Sequence, residues 1–379
     1  MRFTRLRLQN WRNFRHVDVR LGERVFIVGP NACGKSNLLD AFRFLRDVAG
    51  PGGGLARAIA NPARRGVRQL RSLHAREKSN VEIEVEVELD DGTWTYSLGF
   101  SRDKKREVYV ERECVRHGDT VMLERPDEGD RKDPELLTQT ALEQVSRNQR
   151  FRPLAEFLAS VRYLHVVPQL VREPDRYLGR ERDPFGGDFL EQLARTDERT
   201  RKARLKKIGA ALRIAVPHLN ELKLERDEAT GTPHLMGRYE HWRPNAGWQS
   251  EEQFSDGTLR LLALLWSLLE AKAPLLLEEP ELSLHPEVVR RIPQMLHQLN
   301  RKRGRQVMLS SHSSDLLLDE GIGAEEVLVL QPTKDGTSAQ LAASLEPVVQ
   351  MLKEGIPLAT VIAARSAPGD AAQLLLFEP

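Results

Sequence analysis

Cysteine is nearly absent from this chain: Cys33 and Cys114 are the only two among 379 residues. Two thiols cannot build a disulfide framework, and neither has the CxxC or Cys/His neighbourhood of a zinc site. No stretch approaches the ~20 consecutive apolar residues that span a bilayer. The opening MRFTRLRLQNWRNFRH also lacks the continuous apolar core of a secretion signal. These absences count against an intact transporter and predict a cytoplasmic protein in a reducing compartment with no membrane partner. An excess of one charge is missing too: 57 Lys and Arg face 55 Asp and Glu, for a net +2. Bulk electrostatics therefore do not announce a nucleic-acid binder, and any basic surface must be local. Internal repeats and the sustained heptads of a long coiled coil are missing as well.

What is present is the balance of a folded globular protein, with 40% hydrophobic and 30% charged residues. The length predicts one large elaborated domain or two lobes. Arg2 to Leu8 and Arg24 to Val28 read as strands, and the apolar spacing of Leu38, Leu39, Phe42 and Leu45 reads as a helix. The breaker Gly50–Gly54 opens an insertion. Within it, VEIEVEVEL at 81–89 alternates as a half-buried antiparallel strand, paired through an Asp91-Gly92 turn with 93–100, and 107–114 follows as a third strand. Residues 134–160 read as helical, 161–167 as a buried strand, and 189–216 as one or two helices with Leu205, Ile208 and Leu212 on one face. From Phe254 the chain alternates helix (259–271), strand (274–279), helix (286–300) and strand (306–311), which predicts a largely parallel sheet covered on both faces.

The chemistry concentrates at the strand ends of this pattern. Gly29-Pro-Asn-Ala-Cys-Gly34-Lys35-Ser36 fits GxxxxGK[ST] between a strand and a helix, so backbone amides can cradle phosphates, Lys35 can reach their oxygens and Ser36 can ligate Mg²⁺. Leu275–Glu279 is an apolar strand ending in two carboxylates, Glu278 and Glu279, which emerge at the sheet's carboxyl edge. One carboxylate can support a metal through water and the other can polarise the attacking water. In FSDGTLR, Ser255 or Asp256 either caps the following helix or offers that helix N-terminus to a phosphate held by another subunit. His312 follows the strand 307–309 as a further polar group at a sheet edge. Cys33 inside the loop reads either as a small residue that fits or as a point of thiol sensitivity.

Taken in order, GPNACGKSN, FSDGTLR, LLLEEPELSLHP and SSHSSDLL resemble the Walker A, signature, Walker B with D-loop, and switch-histidine motifs of ABC-type ATPases. The opening LRLQNWRNF and the SDGT signature resemble the RecF, SMC and OLD-like group of AAA family ATPases, here without the acidic and histidine clusters of a fused nuclease. The resemblance implies an α/β fold: a P-loop ATPase head with a mainly parallel sheet, an antiparallel β lobe and a helical lobe. It implies ATP and Mg²⁺ as cofactors. Gly29, Asn31, Gly34, Lys35, Ser36 and Asn37 would hold the nucleotide, Ser36 and Glu278 the metal. Glu279 would be the catalytic base, and His312 with Lys35 would contact the γ-phosphate. Ser255 and Gly257 would complete a partner's site, so that a homodimer forms through an ATP sandwich. Most relatives with the usual Walker B carry aspartate where this chain has Glu278. A glutamine completing the metal site is either Gln144 or Gln169, with Gln144 preferred.

On this reading the head comprises 1–49 and 251–345, interrupted by a β lobe and helix (50–160) and by a helical lobe with connecting strands (161–250), and followed by a helix and a loosely held tail (346–379). Two basic runs offer contacts to DNA backbone: Arg57, Arg64, Arg65, Arg68, Arg71, Arg76 and Lys78, then Arg199, Arg201, Lys202, Arg204, Lys206 and Lys207. The functional expectation is an ATP-driven, DNA-associated motor or switch in DNA repair or anti-phage defence. The alternative is a regulatory scaffold for a separately encoded nuclease or toxin, docked through the insertion strands.

Overall fold

The structure is a computed structural model, and it describes residues 1–75, 80–102, 107–173, 183, 185–243, 247–270 and 273–366. In chain order the strands are β1 Arg2–Trp11, β2 Phe14–Arg20, β3 Arg24–Val28, β4 Val81–Leu89, β5 Gly92–Arg102, β6 Val108–His117, β7 Thr120–Arg125, β8 Arg162–Leu164, β9 Leu219–Arg226, β10 Pro233–Tyr239, β11 Trp248–Ser250, β12 Leu275–Glu278, β13 Val307–Ser311, β14 Val327–Thr333 and β15 Gly336–Leu341. The helices are α1 Lys35–Ala49, α2 Leu55–Ala60, α3 Val67–Leu70, α4 Glu128–Lys132, α5 Arg152–Ser160, α6 Pro168–Val171, α7 Phe189–Arg195, α8 Glu198–Ala215, α9 Asp256–Leu269, α10 Pro286–Val289, α11 Ile292–Arg303, α12 Glu346–Lys353 and α13 Leu358–Ser366. Among the described residues no helix is long and apolar enough to cross a membrane.

Two compact units share the chain, one formed by 1–162, 272–276 and 297–379, the other by 163–271 and 277–296. A mostly parallel sheet has the strand order β15-β14-β3-β13-β12-β8, of which β15, β14, β3 and β13 lie wholly in the first unit. Its central strand β3 is buried at every position, as a strand covered on both faces must be. It runs parallel to β13 and β14, with Val28 opposite Ser311 and Val329. That register brings the ends of β3 and β13 to one edge.

The second sheet of this unit is antiparallel, ordered β2-β1-β4-β5-β6-β7. The expected β lobe is therefore not self-contained, because its first strand pairs with the N-terminal strand of the chain. The reason lies in two complementary alternations. Arg2, Arg5 and Arg7 of β1 stand opposite Glu88, Glu86 and Glu84 of β4, and each arginine pairs with its facing glutamate. Phe3, Leu6 and Leu8 meanwhile bury the other face. Exposed ion pairs contribute little stability each, but a one-residue slip would place arginines in the core, so the pattern specifies the register.

Other boundaries shift for identifiable reasons. Leu89 pairs with Gly92, so the two-residue turn is Asp90-Asp91 rather than Asp91-Gly92. The strand expected over 161–167 ends at Leu164, because Val167 donates to Phe185 O instead of continuing a ladder. The helix expected over 286–300 breaks after Val289: Pro293 has no N–H for the Val289 carbonyl. Residues 134–160 hold short 3₁₀ turns and a single α-helix, α5. The tail 367–379 lies outside the described residues.

The second unit packs α8 on the antiparallel sheet β11-β10-β9, with Leu205, Ile208 and Leu212 buried as their spacing predicts. Its fully buried Glu251 accepts from Leu235 N at 2.7 Å and faces His234 Nδ1 at 2.8 Å, tying the segment before α9 to β10.

A buried polar knot fastens β6 and β7 to the connector that follows. Glu113 accepts from Tyr96 Oη, Arg125 Nη1, Ala141 N and Leu142 N at 2.7–3.1 Å. Arg125 is also forked onto Asp130 at 2.7 and 2.9 Å. All of these groups are satisfied, so removing one leaves several stranded donors. Glu113→Ala is expected to cost about 3–5 kcal/mol, the range for opening a buried pair, measured as a lowered midpoint of urea unfolding.

Candidate nucleotide site

The phosphate loop fills the six residues between β3 and α1. Gly34 has φ +102°, and a Cβ there would lie 2.1 Å from Asn13 Nδ2, so only glycine fits this left-handed, crowded position. Helix α1 starts at Lys35 with no side-chain cap and no acidic residue in its first turn. Its positive N-terminal end therefore remains available to an anion. Lys35 is buried, and its ammonium donates to Gly29 O at 2.8 Å and Pro30 O at 3.1 Å.

Residues outside the loop give it this shape. Asn13, in the turn between β1 and β2, donates to Cys33 O at 2.6 Å and to Thr337 Oγ1 at 2.7 Å, and accepts from Asn37 Nδ2 at 2.9 Å. Trp11 Nε1 donates to Asn37 O at 2.7 Å. The LQNWRNF segment thus buttresses the loop from behind, a role its sequence did not disclose. Asn37 turns its side chain into this support, whereas Asn31 and Ser36 lie exposed. Farther along α1, Asp40 is clamped by Arg12 and Arg64. Burial alone would push its carboxyl up, but Arg64 and Arg12 outweigh it and hold the group below its ordinary value. Arg64, fully buried on Asp40 and Asp47, is therefore no DNA contact, contrary to its place in the first basic run. Arg57, Arg65 and Arg68 of that run are exposed and Arg71 is half-buried, while Arg76 and Lys78 lie outside the described residues. Cys33 is buried, and burial raises its thiol above its usual range despite the pull of Lys35, as expected of a small residue that fits the loop.

His312 stands just past β13, and its Nδ1 lies 3.1 Å from Lys35 Nζ. An ammonium has donors only, so Nδ1 accepts in this arrangement. The parallel register of β3 and β13 brings these two residues together from 277 positions apart.

The carboxylates and the signature segment belong to the second unit. Glu278 closes β12, and its Oε2 accepts the hydroxyl of Tyr163; His165 Nδ1 lies 3.8 Å from Oε1. Neither neighbour was read as functional from the sequence, and only their place on or just beyond a strand next to Leu275–Glu278 could have signalled them. Glu279 has φ +45°, a left-handed conformation uncommon for a non-glycine residue and typical of functional turns. Ser255 caps α9, its Oγ accepting from Thr258 N at 3.2 Å, while Asp256 and Phe254 O are held by Arg172 at 2.6 and 2.7 Å. Gly257 permits a close approach to the segment after Glu279, since a Cβ there would meet Ser283 O at 2.4 Å. Burial lowers the Arg260 guanidinium, against the pull of Asp256, Glu279 and Glu281. Of the two candidate glutamines, Gln144 sits in a turn of the first unit, where its backbone bonds Ala141, Arg147 and Asn148. Gln169 is exposed on α6, shortly after Tyr163 and His165.

In the first unit, backbone amides at a helix start, an ammonium and a hydroxyl are donors that fit the phosphates of a nucleotide; the carboxylates of the second unit are hard oxygen ligands of the kind Mg²⁺ takes. Residues 24–319 match the family model described as "AAA domain, putative AbiEii toxin, Type IV TA system". The chain belongs to this AAA-domain family. No curated protein matches it. Solved structures similar to this AAA-domain ATPase include the SmcHead bound to the C-winged helix domain of ScpA, at 12% identity and TM-score 0.55 over 90% of this chain and 97% of that one. Two further SMC heads are similar. One, from Pyrococcus furiosus, has an extended coiled coil and is bound to the C-terminal domain of ScpA, at 14% identity and TM-score 0.51 over 93% and 98% of the two chains. The other, from Pyrococcus yayanosii, has a coiled coil and joint, at 12% identity and TM-score 0.51 over 93% and 99%. These likenesses are of fold: the chain shares the fold of SMC heads.

The buttress makes a measurable demand. Asn13→Ala, which removes the support of Cys33 O and Asn37, is expected to weaken binding of a fluorescent ATP analogue about tenfold, equivalent to about 1.4 kcal/mol, in an anisotropy titration.

Proposed function

We propose that this chain binds and hydrolyses ATP, with the phosphate loop and Lys35 holding the phosphates and Glu279 acting as the base that takes a proton from the attacking water. The observation that carries the reading is the uncapped start of α1 behind a buried Lys35, beside His312. Phosphate oxygens can replace the loop carbonyls that Lys35 now contacts, and His312 would then donate to the γ-phosphate. Ser36 and Glu278 would hold Mg²⁺, which supplies charge neutralisation on the phosphate oxygens. Gln169 is the better candidate for a further metal contact than Gln144, because it follows the strand that supports Glu278.

Two heads would then close on ATP, each offering Ser255, Gly257 and the start of α9 to its partner's nucleotide, as the signature resemblance implies. Closure on that signal needs ATP to favour the dimer by several kcal/mol, a difference that γ-phosphate contacts from both heads would supply. DNA is the proposed cargo, in repair or anti-phage defence. The support for DNA is the family resemblance: the cleft of about 970 Å³ between α8 and β9 mixes Lys202, Lys206, Arg213, Lys223 and Arg238 with Glu198, Glu221 and Glu225, and Lys202, Lys223 and Arg238 pair with those carboxylates. Two members of the second basic run have local duties instead: Arg201 caps the end of α7 and Arg204 lies over the Trp266 ring. A partner protein is a further expectation, since solved SMC heads are bound to ScpA domains.

Turnover and oligomeric mass of the wild type and Glu279→Gln, each with and without double-stranded DNA, test the proposal. Loss of the base is expected to slow hydrolysis by about 10²–10⁴-fold and to trap an ATP-bound dimer, with DNA stimulating the wild type. A wild type that neither hydrolyses ATP nor dimerises would sink it.

A further inference from the structure

We propose that Tyr163 is a positioning residue for Glu278 and sets how tightly Mg²⁺ is held with the nucleotide, an inference that rests on the ATPase reading above. Glu278 lies at the end of a strand with its side chain only 11% exposed. Glutamate has one methylene and one torsion more than aspartate, so its carboxylate sweeps a larger volume and loses more rotamer freedom when fixed. A carboxylate left to sweep would meet the metal or its water in the wrong place for part of the time.

Tyr163 answers this problem directly. Its hydroxyl donates to Oε2, a charge-assisted hydrogen bond of the stronger kind. Tyr163 is anchored in β8, so its hydroxyl restrains one oxygen of the carboxylate. His165, just beyond the same strand, brings its Nδ1 to 3.8 Å from Oε1, beyond hydrogen-bond range, and its ring packs edge-on against Phe185 with centroids 5.9 Å apart. The Tyr163 hydroxyl thus favours one rotamer of Glu278, and β8 contributes to the metal site without supplying a ligand.

The test uses the full chain as wild type, Tyr163→Phe, Glu278→Asp and the double variant. Binding of a fluorescent ATP analogue is followed by anisotropy, both across a Mg²⁺ titration and in EDTA. Tyr163→Phe is expected to raise the half-saturating Mg²⁺ concentration about tenfold, as loss of an outer-shell partner does, with nucleotide affinity in EDTA unchanged. On the shorter Glu278→Asp background, out of the hydroxyl's reach, the same change is expected to shift Mg²⁺ less than about twofold. An unchanged Mg²⁺ requirement in Tyr163→Phe overturns the inference, as does an equal loss of nucleotide with and without Mg²⁺, which would mark Tyr163 as a packing residue. Tyr163→Met, apolar and adaptable, replaces the phenylalanine variant if that one does not fold. A wild type that binds no nucleotide under any condition removes the ATPase reading and this inference together. A wild type that binds Mg²⁺ and nucleotide beside an indifferent Tyr163→Phe removes this inference alone.

Discussion

Asn13 donates to the Cys33 carbonyl and accepts from Asn37, so one carboxamide from the β1–β2 turn grips the phosphate loop on both sides of Gly34. Its second donor contact, to Thr337, links the same point to β15, and Thr337 in turn donates to Cys33 O at 2.8 Å. The loop between a parallel strand and its helix therefore takes its curvature from three separated segments of chain. A phosphate-binding loop works because its amides are already aimed before the ligand arrives, which spares binding the entropy of ordering them. Here the aiming is done by side chains from outside the loop, Asn13 and Thr337.

The second unit handles its polar groups by a related device. Arg172 holds Asp256 and the Phe254 carbonyl, and Glu251 fixes the turn just before them. The start of α9 is thus held from upstream, while the close contact at Gly257 holds it from the side of Ser283. Glu279, in its left-handed conformation, lies four residues before Ser283 in the same turn-rich segment. Movement of one of these elements would be felt by the other, because the Gly257–Ser283 approach leaves no slack for either backbone.

Much of this was legible from residue pattern. GPNACGKS lies between a strand and a helix as its spacing required, and LLLEE ends a strand whose first three residues are buried. Ser255 caps α9, which is one of the two roles its position allowed. The rest was hidden for physical reasons. A period-two pattern says which face of a strand is buried but not which strand lies beside it, so the match of Arg2, Arg5 and Arg7 with Glu88, Glu86 and Glu84 was not visible before the register was known. A basic run says nothing about burial, and Arg64 proved to be a core residue because two aspartates on α1 await it. Tyr163 and Asn13 act across 115 and 324 positions, and a local reading of the chain has no access to contacts of that span.

The pairing of β1 with β4 carries a consequence for how the molecule comes into being. Arg5 and Glu86 are 81 positions apart, and the phosphate loop with its helix lies between them in the chain. The turn that carries Asn13 joins β1 to its sequence neighbour β2, and its contacts to Cys33 and Asn37 span only 20 and 24 positions. Closing β1 on β4 is the non-local step, in which entropy is spent before contacts return it. That pairing ties the chain before the loop and helix to the chain after them, so the loop is bracketed by two neighbouring strands of one sheet.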